Sequence, residues 1–168
     1  DWSISKFTLD EECSNAVKEA FIQLFNDGYI YQDERLVNWD PKLQTAISDL
    51  EVNQKEVDGS LWFFKYYIEE TDDFIEVATT RPETMFGDVA IAVHPKNRAL
   101  KSYIGKKAII PLTERHVHII ADEYADPSKG SGAVKITPAH DFNDFLIAKK
   151  HNLNFINIFD KQAKLNSS

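Results

Sequence analysis

The stretch from residue 130 to residue 144, GSGAVKITPAHDFND, decides the fold because it joins a turn, a strand and a helix. Gly130 and Gly132 predict the turn, and a backbone without side chains can also approach a ligand closely there. A buried strand follows at Ala133–Ile136, and Pro138 ends it because proline has no N–H to donate to a neighbouring strand. A glycine pair alone is more often only a turn, and this one lacks the Gly-Lys-Ser/Thr ending of a phosphate-binding loop.

The same stretch carries a cation, a hydroxyl and two carboxylates. Lys135 and Thr137 are two residues apart on the strand, so their side chains project from one face. Asp141 and Asp144 are three apart at the start of the following helix, where the helix dipole favours carboxylates. This cluster suits a small ligand that carries an ammonium group and a hydroxyl. A helix cap with a surface salt bridge would give the same spacing, so both interpretations stay open.

A second polar segment, TTRPET, occupies residues 79–84 between two apolar, strand-like runs. Arg81 precedes a proline in this turn and is suited to hold a phosphate or a carbonyl group. A structural ion pair with Glu83 or Glu76 is an equal alternative. Two polar segments on one scaffold predict a pocket between them.

The clearest helix is predicted from Leu9 to Asp27. Thr8 and Glu11 have the spacing of a capping box, and Gly28 supplies the stop because it tolerates a left-handed conformation. One face of this helix is apolar at helical spacing, through Val17, Ala20, Phe21, Leu24 and Phe25. We interpret the helix as scaffold.

The remaining chain alternates short apolar runs with Gly, Pro, Asn and Asp, which is typical of short strands and turns. The predicted strands are Leu36–Trp39, Leu61–Ile68, Phe74–Ala78, Val89–Val93, Ala108–Ile110, Val117–Ala121, Ala133–Ile136 and a last one at Phe155–Phe159. A second helix is predicted at Asp141–His151. Many short strands with few helices predict a mixed α+β fold dominated by a β-barrel or sandwich.

Composition narrows the function classes. The 168 residues fit one domain, and 43% hydrophobic content indicates a folded protein. A net charge of −8 disfavours a surface that grips a long nucleic-acid backbone, so an RNA partner would be held only by its tip. The lone Cys13 excludes a disulfide framework and suits a reducing cytosol, so we expect a cytoplasmic location. We expect no membrane contact, because no apolar run reaches the roughly 18–20 residues that span a bilayer.

The histidines leave a metal site as an alternative. His116 and His118 alternate on a predicted strand and share a face, and His94 or His140 would have to complete the site. Because no second close pair supports them, structural or solvent-facing histidines are favoured and no metal is predicted.

The two polar segments, TTRPET and GSGAVKITPAHDFND, resemble the signatures of the editing domain inserted in valyl-, isoleucyl- and leucyl-tRNA synthetases. The order and separation of the segments are similar to those of that family, and the resemblance runs from residue 1 to about residue 160. Lys135 and Asp40 favour the valyl group, since the isoleucyl and leucyl groups typically have His or Met at the first position and often Cys at the second. The HIGH and KMSKS motifs of the aminoacylation core are absent, so no amino-acid activation is expected here.

The resemblance implies a barrel with peripheral helices and an aminoacyl-tRNA deacylase that hydrolyses threonyl-tRNA for valine and spares valyl-tRNA. Within a single editing domain, residues 1–40 would be a helix and a connection to the catalytic body. Residues 41–168 would be the barrel core, shortened at its C-terminal end. The resemblance implies catalytic roles for Asp144, Asp141 and Thr84, with substrate bound by Lys135, Thr137, Thr79, Thr80, Arg81, Gly130, Gly132 and His140.

No cofactor is implied. The expected partners are the aminoacylated 3′ end of the valine tRNA and the rest of the synthetase chain. Three alternatives stay open: a non-catalytic module that binds the tRNA acceptor end, isoleucyl-type editing of valyl-tRNA, and a metal-dependent hydrolase built on His116 and His118.

Overall fold

The structure is a computed structural model that describes residues 2–166. The part of the chain that it describes contains two α-helices and eight β-strands. The chain divides into two compact units, Asp1–Arg35 and Leu36–Ser168. The assignment of the first unit to a connection with a catalytic body stays a prediction.

The first unit contains helix α1, Glu11–Asn26. The predicted capping box is wrong: Asp10, not Thr8, occupies the N-cap, and its side chain accepts no hydrogen bond from the helix. The Asp10 carboxylate instead accepts the backbone N–H of Phe7 at 2.9 Å, which closes the turn before the helix. The helix therefore begins two residues later than predicted.

Gly28 ends α1 as predicted, with a φ of +79°. The N–H of Tyr29 donates to the carbonyl of Leu24 at 2.9 Å and that of Gly28 to Phe25 at 3.1 Å, which is the Schellman arrangement. None of the 16 residues of α1, all of them described, is buried. Its large apolar side chains are exposed, namely Val17, Phe21, Ile22, Leu24 and Phe25.

The second unit is built on strands. Their bounds are β1 Asn38–Asp40, β2 Thr45–Ile47, β3 Trp62–Ile68, β4 Phe74–Thr79, β5 Ala90–Val93, β6 Lys107–Ile109, β7 His116–Ala121 and β8 Ala133–Ile136. Strands β1 and β2 form a small hairpin. The other six form one sheet in the order β4-β3-β6-β7-β5-β8, antiparallel except for the parallel pair β5 and β7. Because β4 also lies against β8, the sheet is nearly closed, which confirms the barrel-dominated fold.

Seven of the eight predicted strands match observed ones to within two residues at each end, but the sequence analysis missed β2. The predicted strand at Phe155–Phe159 is wrong, since only Phe159 forms an isolated bridge, with Leu165. The N–H of Ile158 donates to a histidine side chain, His140 Nε2, at 3.1 Å. That backbone group is therefore satisfied without a neighbouring strand.

The core lies inside the barrel. Alternate residues of β3 and β4 point inward because successive side chains of a strand face opposite sides, as Tyr66, Ile68, Ile75 and Val77 are all buried. Buried residues of β5, β6 and β7 complete the cluster, with Ile91, Val93, Ala108, Val117 and Ile119.

Two short segments carry the polar groups. A 3₁₀ segment, Pro82–Gly87, follows β4, and the guanidinium of Arg115 pins it by donating to the carbonyls of Phe86 at 2.5 Å and Asp88 at 2.8 Å. Helix α2, Phe142–His151, follows β8 nearly as predicted.

Within residues 2–166, no helix has the length and apolar character needed to cross a membrane.

Candidate functional site

A cavity of about 260 Å³ opens where the end of β4, the 3₁₀ segment, β8 and the start of α2 meet. All of the predicted site residues except Gly130 and Gly132 line it, namely Thr79, Thr80, Arg81, Thr84, Lys135, Thr137, His140, Asp141 and Asp144. The fold therefore brings the two polar segments together. The sequence analysis missed four further lining residues: Leu61, Ala78, Tyr124 and Val134.

Gly130 and Gly132 shape the turn that leads into β8 rather than the cavity surface. Both have positive φ, +55° and +77°. A Cβ on Gly130 would lie 3.3 Å from the Cβ of Ala78, and one on Gly132 would lie 2.8 Å from Asn97 Nδ2. The turn packs so closely that side chains would displace these neighbours.

Lys135 is buried among polar partners. Its Nζ donates to Thr84 Oγ1 at 2.7 Å and to Thr137 Oγ1 at 2.5 Å. It also forms an ion pair with Asp88 Oδ1 at 3.2 Å. An ammonium has three N–H groups, so these three contacts use all of its donors. The surface salt bridge considered in the sequence analysis is thus replaced by a buried one.

Asp88 is the functional candidate that sequence reasoning missed. Its side chain is fully buried, and it accepts from Tyr66 Oη at 2.6 Å and from Thr137 Oγ1 at 2.6 Å, besides Lys135. Burial raises the pKa of Asp88, while the Lys135 ammonium and the donated hydrogen bonds act in the opposite direction. Burial also raises the pKa of Tyr66, and the Asp88 charge adds to that shift, so the phenol stays protonated. The sequence signal was weak, because an aspartate after Gly87 looks like a turn residue.

The two carboxylates of α2 have different surroundings. Asp141 is exposed and caps the helix, accepting from the N–H groups of Asn143 at 2.8 Å and Asp144 at 3.0 Å. Asp144 is buried and accepts one backbone hydrogen bond, from Thr137 N at 2.8 Å. Burial, reinforced by the nearby charge of Asp141, raises the pKa of Asp144 to about 6. A carboxylate with so little compensation suits a cationic ligand group.

Arg81 links the two polar segments directly. Its guanidinium donates to the carbonyl of His140 at 2.7 Å, and its Nε contacts Glu83 at 3.3 Å. The ion pair with Glu83 is one of the alternatives that the sequence left open. Because both ends of this link line or border the cavity, Arg81 fixes the distance between its walls.

His140 is a neutral residue in the cavity wall. Its Nε2 accepts from the N–H of Ile158, so the ring proton lies on Nδ1. Burial, followed by the charges of Arg81 and Lys135, lowers the pKa of His140 to about 4. The ring packs edge-on against Phe159, with centroids 4.8 Å apart. These contacts orient the ring and commit Nε2 to the protein.

The other histidines lie outside the cavity. His116 is exposed and contacts Glu69 at 3.1 Å, while the Nδ1 of His94 accepts the backbone N–H of Lys96 at 3.0 Å. No group of three or more His, Cys, Asp or Glu side chains among the described residues is placed to hold a metal ion.

Comparisons with known proteins agree on a family. Residues 1–160 match the family model described as "tRNA synthetases class I (I, L, M and V)". The valine–tRNA ligase of Bartonella quintana is 56% identical over 172 residues, which cover 98% of this chain and 19% of that protein. The valine–tRNA ligase of Caulobacter vibrioides is 53% identical over 188 residues, covering 100% and 21%. The chain thus spans about a fifth of the length of these curated relatives.

A solved structure shares the fold. It is the ternary complex of Agrobacterium radiobacter K84 agnB2 LeuRS with tRNA and LeuAMS, with a TM-score of 0.53 and 19% identity over 96% of this chain and 30% of that one. At this identity the likeness concerns the fold alone. By its family match over residues 1–160, the chain belongs to the class I tRNA synthetases of the I, L, M and V group.

Proposed function

We propose that this chain is the editing domain of a valine–tRNA ligase, which hydrolyses the ester of threonyl-tRNA for valine and spares valyl-tRNA. The observation that carries the proposal is the cavity that Thr84 and Thr137 line together with Asp144, which is buried and has no contacting cation among residues 2–166. The family match and the relatives named as valine–tRNA ligases support the same assignment.

The chemical need for such a site follows from the shapes of the two amino acids. Valine and threonine differ by a methyl against a hydroxyl, and an apolar activation pocket rejects the added hydroxyl only about a hundredfold, a limit known for valyl-tRNA synthetases themselves. A second site that offers hydrogen-bonding partners reverses the preference. Valine would leave each buried partner unpaired, at roughly 1–3 kcal/mol per group.

In this proposal, each of the two walls of the cavity binds a different part of the substrate. Asp144 anchors the α-ammonium of the aminoacyl ester, and its burial makes that charge pair strong. Thr137 and Asp141, with Lys135 and Thr84 beside them, form the side that meets the threonine hydroxyl.

The opposite wall holds the terminal adenosine and the ester through Thr79, Thr80 and Arg81. The hydrogen bond from Arg81 to the carbonyl of His140 keeps this wall in register with the first one. Gly130 and Gly132 act indirectly by letting the turn pack against Ala78 and Asn97.

The reaction is an addition of water to the ester carbonyl, followed by departure of the ribose oxygen. Water forms the new C–O bond, the ester C–O bond breaks, and the proton goes to the leaving ribose oxygen. The neighbouring ribose hydroxyl orients the water. Catalysis arises mainly from positioning, because the cavity lining offers no serine–histidine or cysteine–histidine pair.

The test is release of amino acid from threonyl-tRNA and from valyl-tRNA by the full-length protein that carries this chain. Wild type should release threonine and leave valine esterified, and Asp144→Ala should lower threonine release by about a hundredfold or more, through loss of the ammonium anchor. Asp144→Asn, which keeps an acceptor for Thr137 N, guards against a folding defect. Asp122→Asn is the matched control, since Asp122 is also buried and contacts the other end of α2.

The outcomes separate the candidates. Wild-type rates in both Asp144 variants would remove the anchor role. Faster release from valyl-tRNA would indicate isoleucyl-type editing instead. Binding of the tRNA end with no hydrolysis of either ester would indicate a non-catalytic module, and loss of activity on chelation would favour a metal-dependent hydrolase.

A further inference from the structure

We propose that Asp88, held by Tyr66, and its partner Lys135 make Thr84 and Thr137 hydrogen-bond acceptors toward the cavity, so that the site selects an amino acid whose side chain donates a hydrogen bond. The inference rests on the proposed editing function and names the property of the substrate that this site reads. It gives Asp88 and Tyr66 positioning roles, because Asp88 contacts Thr137 directly and reaches Thr84 only through Lys135.

The direction of each hydrogen bond follows from the chemistry of the groups at the ends of the network. An ammonium only donates, whereas a carboxylate and a backbone carbonyl only accept. Thr137 Oγ1 lies between Lys135 Nζ and Asp88 Oδ1, so it accepts from the lysine and donates to the aspartate. Thr84 Oγ1 lies between Lys135 Nζ and the carbonyl of Arg81, so it also accepts from the lysine and donates to the carbonyl.

These directions leave the network with no proton to offer. The three N–H groups of Lys135 and both threonine hydroxyl protons are used inside the protein. Each hydroxyl oxygen keeps one lone pair, and no second donor from residues 2–166 reaches either of them. A ligand group that bonds to Thr84 or Thr137 must therefore be the donor.

Tyr66 holds the aspartate in the orientation that this network needs. Its hydroxyl donates to Asp88 Oδ2, while Oδ1 faces Lys135 and Thr137. Tyr66 and Asp88 are both fully buried, so removing the Tyr66 hydroxyl leaves Oδ2 shielded from solvent and without a donor from residues 2–166. The carboxylate would then be free to turn, and the hydroxyl proton of Thr137 would lose its fixed acceptor, whereas Thr84 would keep the carbonyl of Arg81.

The substrate property can be isolated without changing the protein. In a 2-amino-3-fluorobutanoyl ester, fluorine replaces the threonine hydroxyl at similar size but carries no proton. Both esters share the α-ammonium that Asp144 is proposed to hold, so their rate ratio reports on the hydroxyl alone. We expect full-length wild-type protein to hydrolyse threonyl-tRNA at least about tenfold faster, in kcat/KM, than the fluoro ester on the same tRNA.

Variants then test the two positioning residues. In Asp88→Asn the amide oxygen can serve either Tyr66 or the Lys135–Thr137 side, but not both, so the rate ratio should fall by about tenfold. Tyr66→Phe should lower it by about threefold. Asp122→Asn is the matched control for the aspartate, because Asp122 is also buried and has its own cationic partners. Tyr67→Phe is the control for the tyrosine, because Tyr67 is the exposed neighbour on β3. Both control variants should keep the wild-type rate ratio.

Each outcome decides between the proposals. Equal wild-type rates for the two esters would overturn donor selection while leaving the editing function in place. Hydrolysis of neither ester would remove the editing function and this inference with it. If the Asp88 and Tyr66 variants slow both esters by the same factor, the pair only supports the fold and the positioning role is wrong. If a variant fails to fold, the wild-type comparison of the two esters still decides on donor selection.

Discussion

A buried aspartate lies at each end of helix α2, and the two carboxyl groups have opposite surroundings. At the C-terminal end, Asp122 accepts from Lys150 Nζ at 2.8 Å and Tyr124 N at 2.9 Å, and lies 2.7 Å from His151 Nε2. At the N-terminal end, Asp144 accepts only the N–H of Thr137, at 2.8 Å, among the hydrogen bonds within residues 2–166.

The difference shows in the pKa of each group. Burial opposes ionisation at Asp122, but the hydrogen bonds from Lys150, Tyr124 and His151 outweigh it and lower the pKa to about 2. Burial dominates at Asp144 and raises the pKa to about 6. A carboxylate compensated by cations holds a helix end in place, whereas one at a cavity with a single backbone hydrogen bond and no contacting cation among residues 2–166 suits a ligand cation. Burial and a negative charge alone do not distinguish these two roles.

Replacing each aspartate by asparagine should shift stability in opposite directions. Ionised Asp122 stabilises the fold above its ordinary pKa of 3.8, and that contribution is lost as the pH falls toward about 2. The raised pKa of Asp144 favours the folded state at low pH, and this contribution is lost as the pH rises through about 6. At pH 7.5 we expect Asp122→Asn to lower the free energy of unfolding by about 2 kcal/mol and Asp144→Asn to raise it by about 1–2 kcal/mol.

Urea unfolding of the wild type and the two variants at pH 7.5 and pH 4 measures this contrast. Shifts of the same sign at pH 7.5 would contradict it. At pH 4 the gain from Asp144→Asn should largely disappear, because the wild-type carboxyl is then protonated.

The proposed anchor role predicts an acid limb in deacylation. Below about pH 6 protonated Asp144 no longer binds the ammonium group, so kcat/KM for threonyl-tRNA should fall by about tenfold per pH unit. Initial rates between pH 5 and 8, corrected for spontaneous ester hydrolysis, measure the limb. The residual activity of Asp144→Asn should lack it, and a flat wild-type profile down to pH 5 would exclude Asp144 as the anchor.

The smallest effect is expected from the exposed partner of the structural aspartate. The side chain of Lys150 is 61% exposed, so its ion pair with Asp122 is largely screened by water. Lys150→Ala should lower the free energy of unfolding by less than about 1 kcal/mol, since His151 and the N–H of Tyr124 remain. A loss above 2 kcal/mol in urea unfolding would show that the compensation depends mainly on this one lysine.

Much of the fold was predictable because its signals are local. The β8 strand, the stop at Pro138 and the cap at Asp141 follow from residues within a few positions of each other, and the structure forms all three. The two wrong predictions, the start of α1 and the strand at Phe155–Phe159, also concern local structure, and in each a different hydrogen-bonding group from the expected one takes the position. The helix α1 begins at Glu11 because Asp10 rather than Thr8 takes the N-cap, and Phe155–Phe159 forms no strand where the N–H of Ile158 bonds to His140.

The sequence indicated most of the residues that line the cavity, but it did not indicate the hydrogen bonds among them. Apart from Gly130 and Gly132, the residues that the resemblance singled out line one cavity. It did not indicate Asp88, which becomes the counterion of Lys135 only when the barrel folds. In the sequence, Tyr66 looks like any core aromatic residue on a β-strand. The role of its hydroxyl becomes visible only in the hydrogen bond to Asp88, 22 residues away in the chain. Hydrogen-bond direction depends on such long-range contacts, so sequence patterns do not contain it.

The exposed apolar face of α1 has a practical consequence for work in concentrated solution. Phe21, Ile22 and Phe25 are each more than half exposed, so isolated molecules of residues 1–168 would adhere to one another through this helix. A dimer or aggregate seen by ultracentrifugation would then report on these side chains and not on the cavity. A chain that begins at Leu36, the first residue of the second unit, would keep the barrel and lack the exposed apolar face of α1.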